Sequence, residues 1–114
     1  MTGSFQIDET LKESLEILFG RRAERIEKAA RCLKVFAHPA RMKILCVLRV
    51  GECSVLNLSN YTGIEQAPLS QHLSLLKDRG IVVSRRSGNY VLYSLANDQM
   101  SQLFEMIQEI YCKD

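Results

Sequence analysis

The sequence predicts a mainly helical fold with one β-hairpin, in the order α-α-α-α-β-β-α, and three observations support it. Residues 54–77 read as two short helices joined by a tight turn, residues 81–95 as two alternating strands around a Gly turn, and amphipathic patterns occupy both ends of the chain.

Taken in order, residues 1–6 carry no pattern and are expected to be loose. Over residues 7–37 Leu11, Leu15, Leu18, Phe19, Ile26, Ala30, Leu33 and Phe36 or Ala37 recur at helical spacing, with Gly20 placed to bend or divide the helix. So long an apolar stripe has little domain to cover it and predicts a dimerisation element; a helix folded back on its own core is the alternative. His38-Pro39 breaks the pattern, because the residue before proline is pushed out of the helical region and proline then suits the first turn of the next helix. That helix, PARMKILCVLRV, is apolar nearly all round at Ile44-Leu45-Cys46-Val47-Leu48 and is expected to be the buried centre, with Met42, Leu45 or Cys46, and Leu48 or Arg49 close to the core and Gly51 ending it.

Ser54 suits the N-cap of the third helix, Val55, Leu58 and Tyr61 share a face, and Gly63 stops it. The fourth helix covers residues 66–77, with Pro68 tolerated near its start. Leu69, Leu73 and Leu76 must face the core, which turns Gln66, Ala67, Ser70, Gln71, Ser74 and Lys77 outward. Gln bonds bidentately to adenine, Ser to base edges or phosphates, and Ala meets a thymine methyl, so this small, amide-rich face suits a DNA major groove. The pair is a candidate helix-turn-helix, with an ordinary helical hairpin as the plain alternative. His72 lies on the same helix, where packing or a phosphate contact is expected.

Gly80 ends the fourth helix, and residues 81–86 and 89–95 form the hairpin through Ser87-Gly88-Asn89. Arg85 and Arg86 are expected at its tip, in reach of phosphates or a minor groove, so the hairpin reads as a wing; a solvated charged turn is the bland alternative. Asn97 or Asp98 caps a last helix whose Met100, Leu103, Phe104, Ile107, Ile110 and Tyr111 form a broad apolar face. With the first helix it would complete a two-fold interface presenting two recognition helices to a palindromic site.

Composition fits one winged helix-turn-helix domain over residues 1–114. At 114 residues and 46% apolar content the core is modest, and a partner copy would help bury the rest. Net charge is only +2, so DNA binding has to come from local placement of charge. Residues 66–93 carry Lys77, Arg79, Arg85 and Arg86 against Asp78 alone, whereas residues 94–114 are acidic. Neither a membrane-crossing run nor a secretory signal is visible, so a cytoplasmic setting is expected, where Cys32, Cys46, Cys53 and Cys112 rest as thiols. No Cys-x-x-Cys motif or Cys-His-carboxylate arrangement is present, and an enzyme is not expected.

The stretches LKVFAHPARMKILCVL and GIEQAPLSQHLSLLKDRGIVVSRRSGNYVLYSL, with the closing IYC, resemble the ArsR/SmtB family of dimeric bacterial winged helix-turn-helix repressors over residues 26–112. The resemblance implies a repressor that leaves its operator when an inducer binds. The family's Cys-Val-Cys metal site falls here on Ser54-Val55-Leu56 and is missing, and the terminal helix lacks the His of the second family metal site, so neither metal nor cofactor is expected. The subgroup of biofilm-growth and sulfide-responsive repressors, with the haemolysin regulator of vibrios, carries one cysteine in the second helix and one near the C-terminus. Cys46 and Cys112 match those positions. By that resemblance the pair senses reactive sulfur or oxidants through a disulfide or polysulfide bridge.

Cys46 alone would be an inert core thiol. Cys32 and Cys53 are expected bystanders, though a metalloid-responsive repressor using these other cysteines is the alternative function. A thiol-redox or protein-interaction module without a DNA role is the remoter one.

Overall fold

A computed structural model of the chain describes residues 8–112. The expected loose segment 1–6, and the start of the first helix at Ile7, lie outside the described residues. The chain divides into two compact units, one ending at Lys34 and one beginning at Val35, and each is taken by itself.

In the first unit, α1 (Glu9–Glu16) is capped by Asp8, whose carboxylate accepts the Leu11 amide at 2.7 Å. The single long helix expected here is divided. Ile17–Arg21 forms a π-helical turn, and α2 (Ala23–Phe36) then begins. The wide turn contains Gly20, the residue with the least resistance to an off-pattern backbone. No described residue up to Lys34 is buried, and Leu11, Ile17, Leu18, Phe19, Ile26 and Leu33 are exposed.

The second unit opens with Val35 and Phe36, both buried, and Phe36 meets Phe104 edge-on at 5.4 Å. His38 caps α3 (Pro39–Val50): its Nδ1 accepts the Ala40 amide at 3.2 Å. Helix α3 is less uniformly buried than its composition suggests. Ile44, Leu45 and Leu48 are buried, Met42, Cys46, Val47 and Arg49 are half-buried, and Val50 is 82% exposed, so one stripe packs while the other faces a groove.

A two-residue strand absent from the sequence expectation, β1 (Cys53–Ser54), precedes α4 (Val55–Thr62). Ser54 both pairs with Leu92 and caps α4, its hydroxyl accepting the Asn57 amide at 3.2 Å. Gly63 at φ +75° ends α4 in the left-handed conformation that glycine adopts without steric cost. Tyr61 does not join Val55 and Leu58 against the core; it is 73% exposed. Helix α5 (Gln66–Asp78) follows, then β2 (Val82–Ser87) and β3 (Tyr90–Leu95), antiparallel, giving sheet order β1-β3-β2.

Helix α6 (Asp98–Tyr111) is capped by Asn97, which accepts the Met100 amide at 3.0 Å. Phe104 is fully buried, Met100, Leu103 and Ile107 pack against the core, and Met106, Ile110 and Tyr111 remain exposed. The core thus sits where α3, α4, α5, the sheet and α6 meet. No helix among the described residues is long and apolar enough to cross a membrane.

Candidate nucleic-acid interface and thiol pair

Helix α5 is anchored by Leu69, Leu73 and Leu76, all fully buried. Their spacing fixes its rotation, so Gln66, Ala67, Ser70, Gln71, Ser74 and Lys77 are exposed together, as expected from the sequence. The Lys77 ammonium also donates to the Ser84 hydroxyl at 2.8 Å, tying the end of α5 to the wing.

The two wing arginines differ. Neither is at the tip, since Arg85 and Arg86 pair with Leu92 and Val91 inside the ladder, before the turn at Gly88. Successive strand residues point to opposite faces, so Arg86 shares a face with Ser84 and Val82, the face turned toward α5. Arg85 points the other way and forms a bidentate pair with Glu52, at 2.7 Å from Nε and 2.6 Å from Nη2. That pairing holds the Glu52 carboxyl below its usual range and raises the guanidinium. Of the two arginines that the sequence assigns to the wing, Arg86 is the one on the α5 side.

His72 is half-buried and turned toward α3, consistent with a packing role. Its Nδ1 accepts a bond from Arg41 Nε at 3.2 Å, and its ring lies 4.8 Å from that of His38. Burial lowers its pKa first, with His38 and the Arg41 guanidinium adding to the effect. The contact links the start of α3 directly to α5.

Cys46 on α3 and Cys112 at the end of α6 line one cavity of about 430 Å³, together with Met42, Lys43, Val47, Tyr61 and Thr62. Cys112 is exposed and Cys46 half-buried. Burial pushes the Cys46 thiol up; the Gln108 side chain opposes that rise, Cys112 reinforces it, and Arg49 opposes it more weakly. A second cavity of about 540 Å³ continues past Cys46 along Val47, Val50, Glu52 and Cys53. Cys53 is buried in β1, and burial pushes its thiol up too, which suits a core residue rather than a nucleophile. Cys32 is half-buried in α2. Among the described residues no group of three or more His, Cys, Asp or Glu side chains is placed to hold a metal.

Three residues at these sites escaped the sequence reading. Glu52 was silent there, because nothing in the sequence pairs it with Arg85 across the sheet. Lys43 and Gln108 were legible in principle: Lys43 stands three residues before Cys46 and Gln108 four before Cys112, spacings that put each on its cysteine's side of a helix.

A family model described as bacterial regulatory protein, arsR family, matches residues 38–84, from the cap of α3 into the wing. A biofilm growth-associated repressor of Agrobacterium fabrum is 39% identical over 97 residues, spanning 85% of this chain and 83% of that protein. Among solved structures, reduced HlyU from Vibrio cholerae superposes with a TM-score of 0.75 at 33% identity, covering 82% of this chain and 98% of its own. A protein of Mycobacterium bovis described as a homodimeric winged helix-turn-helix DNA-binding domain matches with a TM-score of 0.72 at 32% identity, over 80% of this chain and 84% of that one.

Proposed function

The chain belongs to the ArsR family of bacterial regulatory proteins, and we propose from that premise that it is a homodimeric repressor released from its operator when Cys46 and Cys112 are joined by reactive sulfur or oxidant. It is a winged helix-turn-helix transcription regulator and not an enzyme. The finer reading takes the whole chain as one working domain in the cytoplasm. The exposed apolar residues of the N-terminal helices and of α6 would form the interface between copies, as the homodimeric description of the mycobacterial relative suggests. Two copies would offer their α5 helices to a palindromic duplex, with Gln66, Ala67, Ser70, Gln71 and Ser74 toward base edges and Lys77 and Arg86 toward phosphates.

The observation that carries the switch is the cavity shared by Cys46 and Cys112, residues distant in sequence. A thiolate attacks a sulfane sulfur of a hydropolysulfide anion, the S–S bond breaks, and the chain shortened by one sulfur leaves, so that one cysteine becomes a persulfide. The partner thiolate then attacks the cysteine-side sulfur of that persulfide. A disulfide forms and hydrosulfide departs with the electron pair, so two thiols are oxidised and one sulfane sulfur is reduced. If both cysteines carry persulfide, the same displacement yields a trisulfide and one hydrosulfide. Cys112 is the better first nucleophile because it is exposed, whereas burial pushes the Cys46 thiol up and leaves less of it as thiolate.

A bridge would tie α3 to the end of α6. Since α3 also holds α5 through Arg41 and His72, a strained α3 would displace the recognition helix against a fixed half-site spacing. A coupling of about 1–3 kcal/mol suffices for a five- to 150-fold loss of affinity. Operator binding by reduced and polysulfide-treated protein tests this. Weaker binding after treatment, restored by a thiol reductant, is expected, and equal affinity in both states would remove the sensing role.

A further inference from the structure

We infer that Lys43 makes the dithiol cavity selective for anionic sulfur donors, recruiting inorganic polysulfide anions to the space between Cys46 and Cys112. The inference rests on the dithiol reading above and names the chemical class of its inducer.

Lys43 is exposed on α3, and among the described residues lining the cavity shared by Cys46 and Cys112 it alone carries a formal charge. No ion pair engages it among the described residues, where the one pair found is that between Arg85 and Glu52. The other polar groups of the lining are less available. The Thr62 hydroxyl donates to the Leu58 carbonyl at 2.6 Å and accepts the Ile64 amide at 3.3 Å, so its bonding is spent inside the turn. Met42 and Val47 are apolar. Among the described residues, an incoming molecule therefore meets two cysteines, soft apolar walls, the exposed Tyr61 and one ammonium.

That combination fits a short polysulfide chain. Its sulfurs are polarizable and suit the thioether and apolar walls, and its acids ionise near neutral pH, so it arrives as an anion. The neighbouring cavity beside Glu52 and Cys53 has no such cation in its lining. One charge in a solvent-open groove acts mainly on encounter, raising the local concentration of an oppositely charged reactant, and the effect fades with salt. Lys43 is thus a positioning residue: it draws the incoming anion toward the thiols and takes no part in breaking the S–S bond.

The experiment compares the full-length protein with its Lys43→Gln and Lys43→Arg variants. The rate of Cys46–Cys112 bridging by inorganic polysulfide is followed by mass spectrometry, and the alkylation rate of the same thiols by iodoacetamide, a neutral reagent, is followed in parallel. Lys43→Gln should slow bridging about three- to tenfold at low salt, the order expected of one unit charge a few ångströms from an anion. It should leave alkylation within about twofold, Lys43→Arg should restore the bridging rate, and about 0.15 M salt should bring the unaltered protein toward the Gln variant. Equal bridging rates in the Gln variant and the unaltered protein would overturn the inference while leaving the dithiol switch intact. Equal slowing of bridging and alkylation would overturn it as well, because Lys43 would then act on the thiols themselves. If polysulfide bridges these thiols in none of the proteins, the dithiol reading fails and this inference with it.

Discussion

The outer face of α5 and the surface around Cys46 in the winged unit are built on opposite terms. Helix α5 is held by three fully buried leucines and by a hydrogen bond from Lys77 to the wing, so its outer face has one orientation. The surface around Cys46 is half-buried, bordered by two cavities, and flanked by Val50 and Tyr61, apolar or aromatic side chains left exposed. Close packing resists displacement, whereas a cavity lets a side chain or helix end move at small cost. The difference teaches where to look for each activity: reading DNA needs a fixed array, and switching needs an element that can be shifted.

The comparison is broken most directly by loosening the fixed side. Leu73→Ala, deep beneath α5, should cost about 2–5 kcal/mol of folding stability, read as an earlier denaturant midpoint, because the cavity left behind cannot collapse fully. A loss well under that would mean α5 is not held as rigidly as its burial implies. Next in size, Gln71→Ala should weaken operator binding by about 1–3 kcal/mol and relax preference at one base position without altering stability. Unchanged sequence preference would take this residue off the base-reading face.

The wing arginines offer a smaller, sharper contrast. Arg86→Ala should reduce the slope of log affinity against log salt by about one, as expected for one lost phosphate contact. Arg85→Ala should leave that slope nearly unchanged, since its guanidinium is engaged by Glu52. The reverse result would place the DNA on the other face of the wing.

The smallest effect concerns pH. His72 has a lowered pKa in the folded protein, from burial, His38 and Arg41, so the unfolded chain takes up its proton first. Its contribution to stability is present above the unfolded value, near 6.5, and is lost as pH falls through the folded one. The melting temperature should therefore decline between about pH 7.5 and 5.5, above the carboxylate range, and His72→Gln should flatten that decline. An identical pH profile in the variant would exclude His72 as its source.

Much of this was legible because helical periodicity is a strong local signal. The three-four spacing of Leu69, Leu73 and Leu76 is enough to set the outward residues of α5, and Ser54, Gly63 and Asn97 mark helix ends through hydrogen bonds local in sequence. What escaped depends on contacts between segments. The strand β1 exists only because Tyr93 and Leu92 lie alongside Cys53 and Ser54, and two residues carry no pattern of their own. Arg85 and Arg86 look alike in sequence, and only the alternation of β2 against α5 and Glu52 separates them. Tyr61 fits the apolar period of α4, yet the groove beside α3 leaves it exposed. The thiol pair was visible only as a family resemblance, since nothing in the spacing of Cys46 and Cys112 says that α6 returns its end to α3.

The central claim is tested most directly by measuring, in one titration with polysulfide, the fraction of chains bridged between Cys46 and Cys112 and the fraction of operator released. The account predicts that the two rise together, and that Cys112→Ser protein stays bound to DNA at every dose. Release of the Cys112→Ser variant at the same dose as the unaltered protein, or complete bridging with the operator still held, would contradict it.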